Sequence, residues 1–94
     1  MIQHIVMWKF REGTEAEAER FLTGLEGLYG QIQCIRSLKV RRSAAENSDY
    51  DAVLISEFDS PEDVEAYKKD PRHVEVASIC KAIRIARCAI DIEK

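Results

Sequence analysis

The 94-residue sequence has few of the residue types that build the commonest metal and disulfide sites. It contains 3 cysteines and no CxxC motif, which argues against a disulfide framework and against a structural zinc site. Its 2 histidines have no carboxylate at ligand spacing, so we expect no transition-metal site. The sequence also lacks a run of about 18 apolar residues, so no segment is predicted to cross a membrane as a helix.

An excess of basic charge is also missing. The chain has 14 Lys and Arg residues against 17 Asp and Glu residues, a formal net charge of −3. A surface that binds nucleic acid needs clustered cations, and the only cluster, KVRR at 39–42, is interpreted as a solvent-exposed strand edge. The strands also lack the aromatic RNP signature of RNA-binding domains. The N-terminus shows no secretory leader pattern, so a cytoplasmic location is expected.

The sequence does have a regular alternation of strand and helix patterns, over a length that suits a single domain, 1–94. Strands are predicted at 2–10, 35–42, 50–58 and 87–92. Helices are predicted from 14 to about 30, from 61 to about 69, and again from 71. This β-α-β-β-α-β order, with a broken second helix, predicts a ferredoxin-like α+β fold. Its antiparallel four-stranded sheet would have helices on one face.

Three polar residues precede the predicted helices at positions typical of helix caps. Thr14, with Glu17 three residues later, has the spacing of a capping box. Ser60 and Asp70 each stand directly before a proline, which favours them as caps of the two parts of the broken helix.

Several predicted strands have apolar side chains on both faces. A sheet face without helices should be polar in a monomer, because it meets water. We therefore predict a twofold homodimer in which two sheets pack face to face. The residues expected in that interface are Ile5, Met7, Val53, Ile90 and Ile92.

The segments HIVMWKF, YDAVLISEF, AYKKDPRHVEVA and ARCAIDIE together resemble the stress-responsive A/B barrel (Dabb) family over nearly the whole chain. The resemblance implies a homodimeric α+β barrel, which agrees with the apolar strands. Family members include plant stress-associated proteins and a cofactor-free polyketide cyclase, so no cofactor is expected. Small dimeric monooxygenases share the barrel in a related superfamily.

The resemblance also implies candidate site residues. The residues that match the functional triplet of the cyclase are His4, Tyr67 and His73. Asp70 replaces the first histidine of the cyclase's HPxH motif. Leu25 and Arg84 stand near positions where the cyclase has a pocket tyrosine and a final-helix tryptophan. A ligand smaller or more anionic than the cyclase's substrate is therefore expected.

The residue pattern independently points His4 and His73 into one layer between sheet and helices. We predict a cavity there, in which His73 acts as a base and Tyr67 donates to a carbonyl oxygen. His4 is expected to support one of these two residues by a hydrogen bond. The predicted ligand-binding walls are Trp8, Leu25, Val76, Ile79 and Arg87.

Several functions are compatible with such a cavity. The first is the binding of a small, carbonyl-bearing, apolar molecule. The second is a cofactor-free cyclase, isomerase or lyase that uses His73 and Tyr67, and the third is a cofactor-independent monooxygenase. The alternative to all three is that both histidines are core residues whose polar atoms bond backbone carbonyls or water.

Overall fold

The computed structural model describes residues 1–94 and has four strands and three helices. They follow in the order β1 (Ile2–Phe10), α1 (Glu15–Glu26), β2 (Ser37–Arg42), β3 (Ala52–Phe58), α2 (Pro61–Lys69), α3 (Pro71–Ile83) and β4 (Arg84–Glu93). The strands form one antiparallel sheet in the order β2-β3-β1-β4. The helices cover one face of it, which confirms the predicted ferredoxin-like α+β fold. No helix has the length and apolar character needed to span a membrane.

Four element boundaries differ from the prediction. The first helix ends at Glu26 instead of near residue 30, and β2 and β3 both begin two residues later than expected. The last strand begins at Arg84 instead of residue 87, because α3 passes into it without a loop. Arg84 has an extended backbone and pairs with Phe10 of β1. It therefore belongs to a strand and not to the final helix.

Two of the three predicted helix caps are present. The Ser60 side chain accepts a hydrogen bond from a backbone N–H in the first turn of α2, at 3.2 Å. The Asp70 carboxylate accepts one from the backbone N–H of Arg72, at 2.9 Å, and so caps α3. The prediction of a capping box at Thr14 was wrong. The Thr14 hydroxyl donates to the carbonyl of Arg11, at 2.6 Å, and leaves the first N–H groups of α1 without a side-chain cap.

The core lies between the helices and the sheet face that they cover. Every second residue of β1 is buried there, and the indole of Trp8 packs edge-on against the ring of Phe21, with centroids 4.9 Å apart. Cys80 is buried in this core. Cys88 is half-buried in the single chain and lies on the other face of the sheet, opposite Met7.

The uncovered face of the sheet, called the open face below, is apolar across three strands. Ile90 is 58% exposed in the single chain, an unusual degree for an isoleucine in a strand. The apolar surface expected for a sheet-to-sheet interface is therefore present. Its two central rows, set by the strand register, are Ile55, Ile5 and Ile90, and next to them Val53, Met7 and Cys88.

Candidate functional site

A cavity of about 270 Å³ lies between the covered face of the sheet and α3, and is called the sheet–α3 cavity below. Both histidines of the chain line it. The cavity lies in the layer between sheet and helices, where the sequence pattern predicted both side chains. Its apolar floor is formed by Val6, Trp8, Phe21, Leu25 and Leu54.

His4 is held by the carboxylate of Asp91. The imidazole is only 3% exposed, and the register of β1 with β4 places Asp91 directly opposite. The bond joins Nδ1 of His4 to a carboxylate oxygen of Asp91. An ionised carboxylate can only accept, so Nδ1 carries the hydrogen and Nε2 keeps the free lone pair. The prediction that His4 forms a hydrogen bond with Tyr67 or His73 was wrong.

His73 is held by the end of the preceding helix. Because α3 restarts at Pro71, His73 stands in its first turn, close to the last carbonyl groups of α2. Its Nδ1 lies 3.1 Å from the carbonyl oxygen of Lys68, one of the acceptors that a helix end leaves without an intrahelical partner. The carbonyl can only accept, so His73 also has its hydrogen on Nδ1 and a lone pair on Nε2.

The Nε2 atoms of both histidines reach the open space of the cavity. Neither atom has a hydrogen-bond partner in the protein. Yet the only fully enclosed side-chain nitrogen or oxygen atom without a partner is the hydroxyl of Tyr67. The two Nε2 atoms are therefore not enclosed, and each can accept a hydrogen bond from a molecule in the cavity.

Burial lowers the pKa of both imidazoles from the ordinary value of 6.5. Desolvation outweighs the opposing effect of Asp91 on His4 and of the Lys68 carbonyl on His73. The positive charge of Arg87 lowers both pKa values further. Both histidines are thus neutral at pH 7. As the pH falls through 6.5, the histidines of the unfolded chain take up protons before those of the folded chain. The free energy of unfolding therefore decreases towards acid pH.

Tyr67 lies beside both histidines but not in the cavity wall. Its ring centroid is 4.4 Å from that of His73 and 6.2 Å from that of His4. The side chain is completely buried, and its hydroxyl has no hydrogen-bond partner. Burial raises the pKa of this hydroxyl, and the nearby thiol of Cys34 adds to the rise. The ring thus supports the imidazoles, while the predicted contact of its hydroxyl with a ligand carbonyl stays a prediction.

Replacing Tyr67 by Phe is expected to raise the free energy of unfolding by about 1 kcal/mol. The reason is that a buried hydroxyl without a partner costs about 1–3 kcal/mol in desolvation. Urea unfolding of the wild type and Tyr67→Phe measures the difference. Tyr29→Phe is the matched control, because Tyr29 is exposed, and its stability should not change. A clear loss of stability in Tyr67→Phe would show that the hydroxyl has a partner.

Three of the five predicted wall residues line the cavity, namely Trp8, Leu25 and Arg87. The placement of Val76 and Ile79 in the wall is corrected by the structure. Val76 faces α1, where a methyl group on Gly24 would lie 3.1 Å from its Cγ1 atom, and Ile79 packs on the core. The absence of a side chain at Gly24 lets α1 approach this side of α3. The cavity therefore meets the neighbouring stripe, which contains His73, Ala77, Cys80 and Lys81.

Four basic side chains complete the lining, and no Asp or Glu is among the lining residues. Sequence reasoning found Arg87 for the wall, and the resemblance pointed to Arg84, but both missed Lys68 and Lys81. These two lysines come from the ends of α2 and α3, which meet only in the fold. No group of three His, Cys, Asp or Glu side chains is arranged to hold a metal ion. The four basic residues are Lys68, Lys81, Arg84 and Arg87.

The fold and cavity are those of a ferredoxin-like α+β protein with an apolar sheet face left open. The model of the stress-responsive A/B barrel domain, Dabb, matches residues 2–94, and the chain belongs to this family. No curated protein matches the sequence.

Solved structures show the same fold over the whole chain. A dimeric protein of unknown function from Bacteroides fragilis is 28% identical, with a TM-score of 0.92, and the match covers 99% of this chain and 95% of that one. A dimeric ferredoxin-like protein from Thermobifida fusca is 20% identical, with a TM-score of 0.87 and coverage of 99% and 90%. A hydroxynitrile lyase from Passiflora edulis is 13% identical, with a TM-score of 0.84 and coverage of 97% and 90%, and so shares the fold alone.

Proposed function

We propose that this chain forms a homodimer that binds a small carbonyl-bearing molecule in the sheet–α3 cavity. The observation that carries the proposal is the pair of neutral imidazoles in the wall, each with Nδ1 bonded and Nε2 free. A histidine that only fills a core has no need of an open nitrogen. Two such acceptors above an apolar floor suit a ligand whose carbon skeleton is buried while its polar groups are oriented.

The free lone pairs define which ligand groups fit. Each Nε2 accepts a hydrogen, so it suits a hydroxyl group, an enol, or an acidic C–H next to a carbonyl. The carbonyl oxygen itself needs a donor, and the basic side chains of the lining can supply one. A carbonyl compound with a neighbouring hydroxyl or acidic C–H therefore fits both kinds of group.

The homodimer is supported by the apolar open face and by relatives that are described as dimeric. An exposed apolar surface over three strands is unfavourable in a monomer, and a second copy of the same surface covers it symmetrically.

A cofactor-free enzyme that acts on the same class of ligand is the second candidate, and the His4–Asp91 pair favours it. A carboxylate that fixes the tautomer of an imidazole, and stabilises its protonated form, is a common support for a general base. The Lys68 carbonyl gives His73 the same kind of support, and in this hypothesis His73 Nε2 takes a proton from the carbon next to the carbonyl. The C–H electron pair moves towards the carbonyl oxygen and forms an enolate, from which cyclisation, isomerisation or elimination can follow.

Native mass spectrometry of the purified dimer tests the binding proposal. The wild type should carry a small bound molecule, either from the expression host or from an added carbonyl compound. Ala77→Phe should lose it, because Ala77 lines the cavity and a phenyl ring would fill it. Ala66→Phe is the matched control, since it adds the same ring on the exposed side of α2 and should keep the ligand. Equal binding by wild type and Ala77→Phe would contradict the proposal.

A further inference from the structure

We infer that the ligand of the sheet–α3 cavity carries a carboxylate, bound by the arginines at its opening. The ligand class is then a small oxo- or hydroxy-carboxylate with a short apolar chain. The inference rests on the proposed function, because it specifies the molecule bound at the same site.

The charge of the lining is opposite to that of the chain as a whole. The chain has a net charge of −3, yet the lining contains two lysines, two arginines and no carboxylate. Such a local concentration of positive charge, in a partly enclosed space, attracts and holds an anion. An apolar ligand without charge would gain nothing from it.

The two arginines of the lining have no acidic partner, whereas Arg36, Arg42 and Arg72 each pair with a carboxylate. Arg42 pairs with Glu19 at 2.6 Å and Arg72 with Asp70 at 2.8 Å. No ion pair uses the side chain of Arg84, Arg87 or Lys81, and the guanidinium of Arg84 lies beside the thiol of Cys80. These donors are available to a ligand.

The carboxylates near the histidines are already in use. Asp91 is bonded to His4. Asp70 is bonded to Arg72, and these bonds lower the pKa of Asp70 to about 2. Neither carboxylate forms an ion pair with Arg84 or Arg87, so both guanidinium groups stay available for an external anion.

The position of Arg87 brings the anion site and the histidines together. Arg87 lies opposite Trp8 in the sheet, on the face that the helices cover, and its charge lowers the pKa of both imidazoles. A guanidinium binds a carboxylate with two parallel hydrogen bonds. A ligand held in this way at the opening would direct its carbonyl or hydroxyl group inward, towards the two free Nε2 atoms.

The lysines alone would not carry the inference. Lys68 and Lys81 stand in the last turns of α2 and α3, where a positive charge stabilises the negative helix end. Arg84 is the C-cap of α3, so the same explanation applies to it, but it does not apply to Arg87, which lies further along β4. A carboxylate ligand explains why Arg87 lines the cavity without an acidic partner.

The experiment uses the fluorescence of Trp8, the 1 tryptophan of the chain, which lies in the cavity floor. The purified full-length protein is titrated with 2-oxohexanoate, its methyl ester, and hexanoate. The carboxylate should bind about tenfold or more tightly than the ester, as expected for a charge-assisted bidentate contact. Arg87→Gln should remove most of this difference, whereas Arg20→Gln, an exposed arginine outside the lining, should not.

The three compounds separate the inference from the proposed function. Equal affinity for 2-oxohexanoate and its methyl ester would overturn the carboxylate inference and leave carbonyl binding intact. Equal affinity for 2-oxohexanoate and hexanoate would overturn the carbonyl proposal, while the anion site would stand. An unchanged preference for the carboxylate in Arg87→Gln would also overturn the assignment of the anion site. No response to any of the three compounds would overturn both.

Discussion

Replacing Ile90 by Asp is expected to convert the dimer into monomers at micromolar concentration. Ile90 ends the central row of isoleucines on the open face and is 58% exposed in the single chain. An aspartate that is buried there without a partner costs several kcal/mol, and a twofold interface contains the change twice. Each 1.4 kcal/mol raises the dissociation constant tenfold, so an increase of about 10³-fold or more follows. Sedimentation velocity over a concentration series measures it.

Ile85→Asp is the matched control for this experiment. Ile85 belongs to the same strand and is 61% exposed, but it lines a different pocket, together with Phe10 and Ala18, and not the open face. It should remain dimeric. Circular dichroism of both variants should match the wild type, because neither residue belongs to the core of the single chain. A monomeric wild type, or a dimeric Ile90→Asp protein, would contradict sheet-to-sheet assembly.

The fold could be predicted from the sequence because its signals are local and repeated. The alternation in β1 and β3 separates covered from open face residue by residue, and Ser60 and Asp70 mark the starts of α2 and α3. The errors occurred where the local pattern fits two structures. Residues 84–86 suit either a last helical turn or a strand, and their pairing with the end of β1 decides for the strand.

The two histidines of the site could be predicted to share a layer, but their partners could not. Strand parity put Asp91 and Arg87 on one face of β4, yet only the register shows that Asp91 stands opposite His4. The ferredoxin-like fold makes β1 and β4 neighbours, but it does not set their register. The apolar stripe of a helix likewise does not show which neighbouring element it contacts. For this reason Val76 was predicted in the cavity wall, whereas it packs against α1 at Gly24.

In the enzyme hypothesis, turnover depends most on His73. For any compound that the protein converts, His73→Ala is expected to lower turnover by about 10²–10⁴-fold, the effect of losing a positioned base. The fold and dimer should persist, because the change removes one hydrogen bond to the Lys68 carbonyl at the edge of a cavity. The pKa of His73 is lowered from 6.5, so wild-type turnover should be constant from pH 8 to about 6.5 and fall only below it.

The assay compares wild type, His73→Ala, Tyr67→Phe and Glu75→Ala on β-keto thioesters and on the oxo-carboxylates that bind. Glu75→Ala is the control, because it truncates an exposed residue of the same helix and should keep full turnover. Tyr67→Phe separates two roles. A fall in its turnover supports the predicted donation of the hydroxyl to a carbonyl, whereas unchanged turnover leaves the ring as support for the imidazoles. Equal turnover in wild type and His73→Ala would refute the enzyme hypothesis. Binding without turnover would favour a protein that only holds its ligand, with the His4 and His73 lone pairs used for recognition.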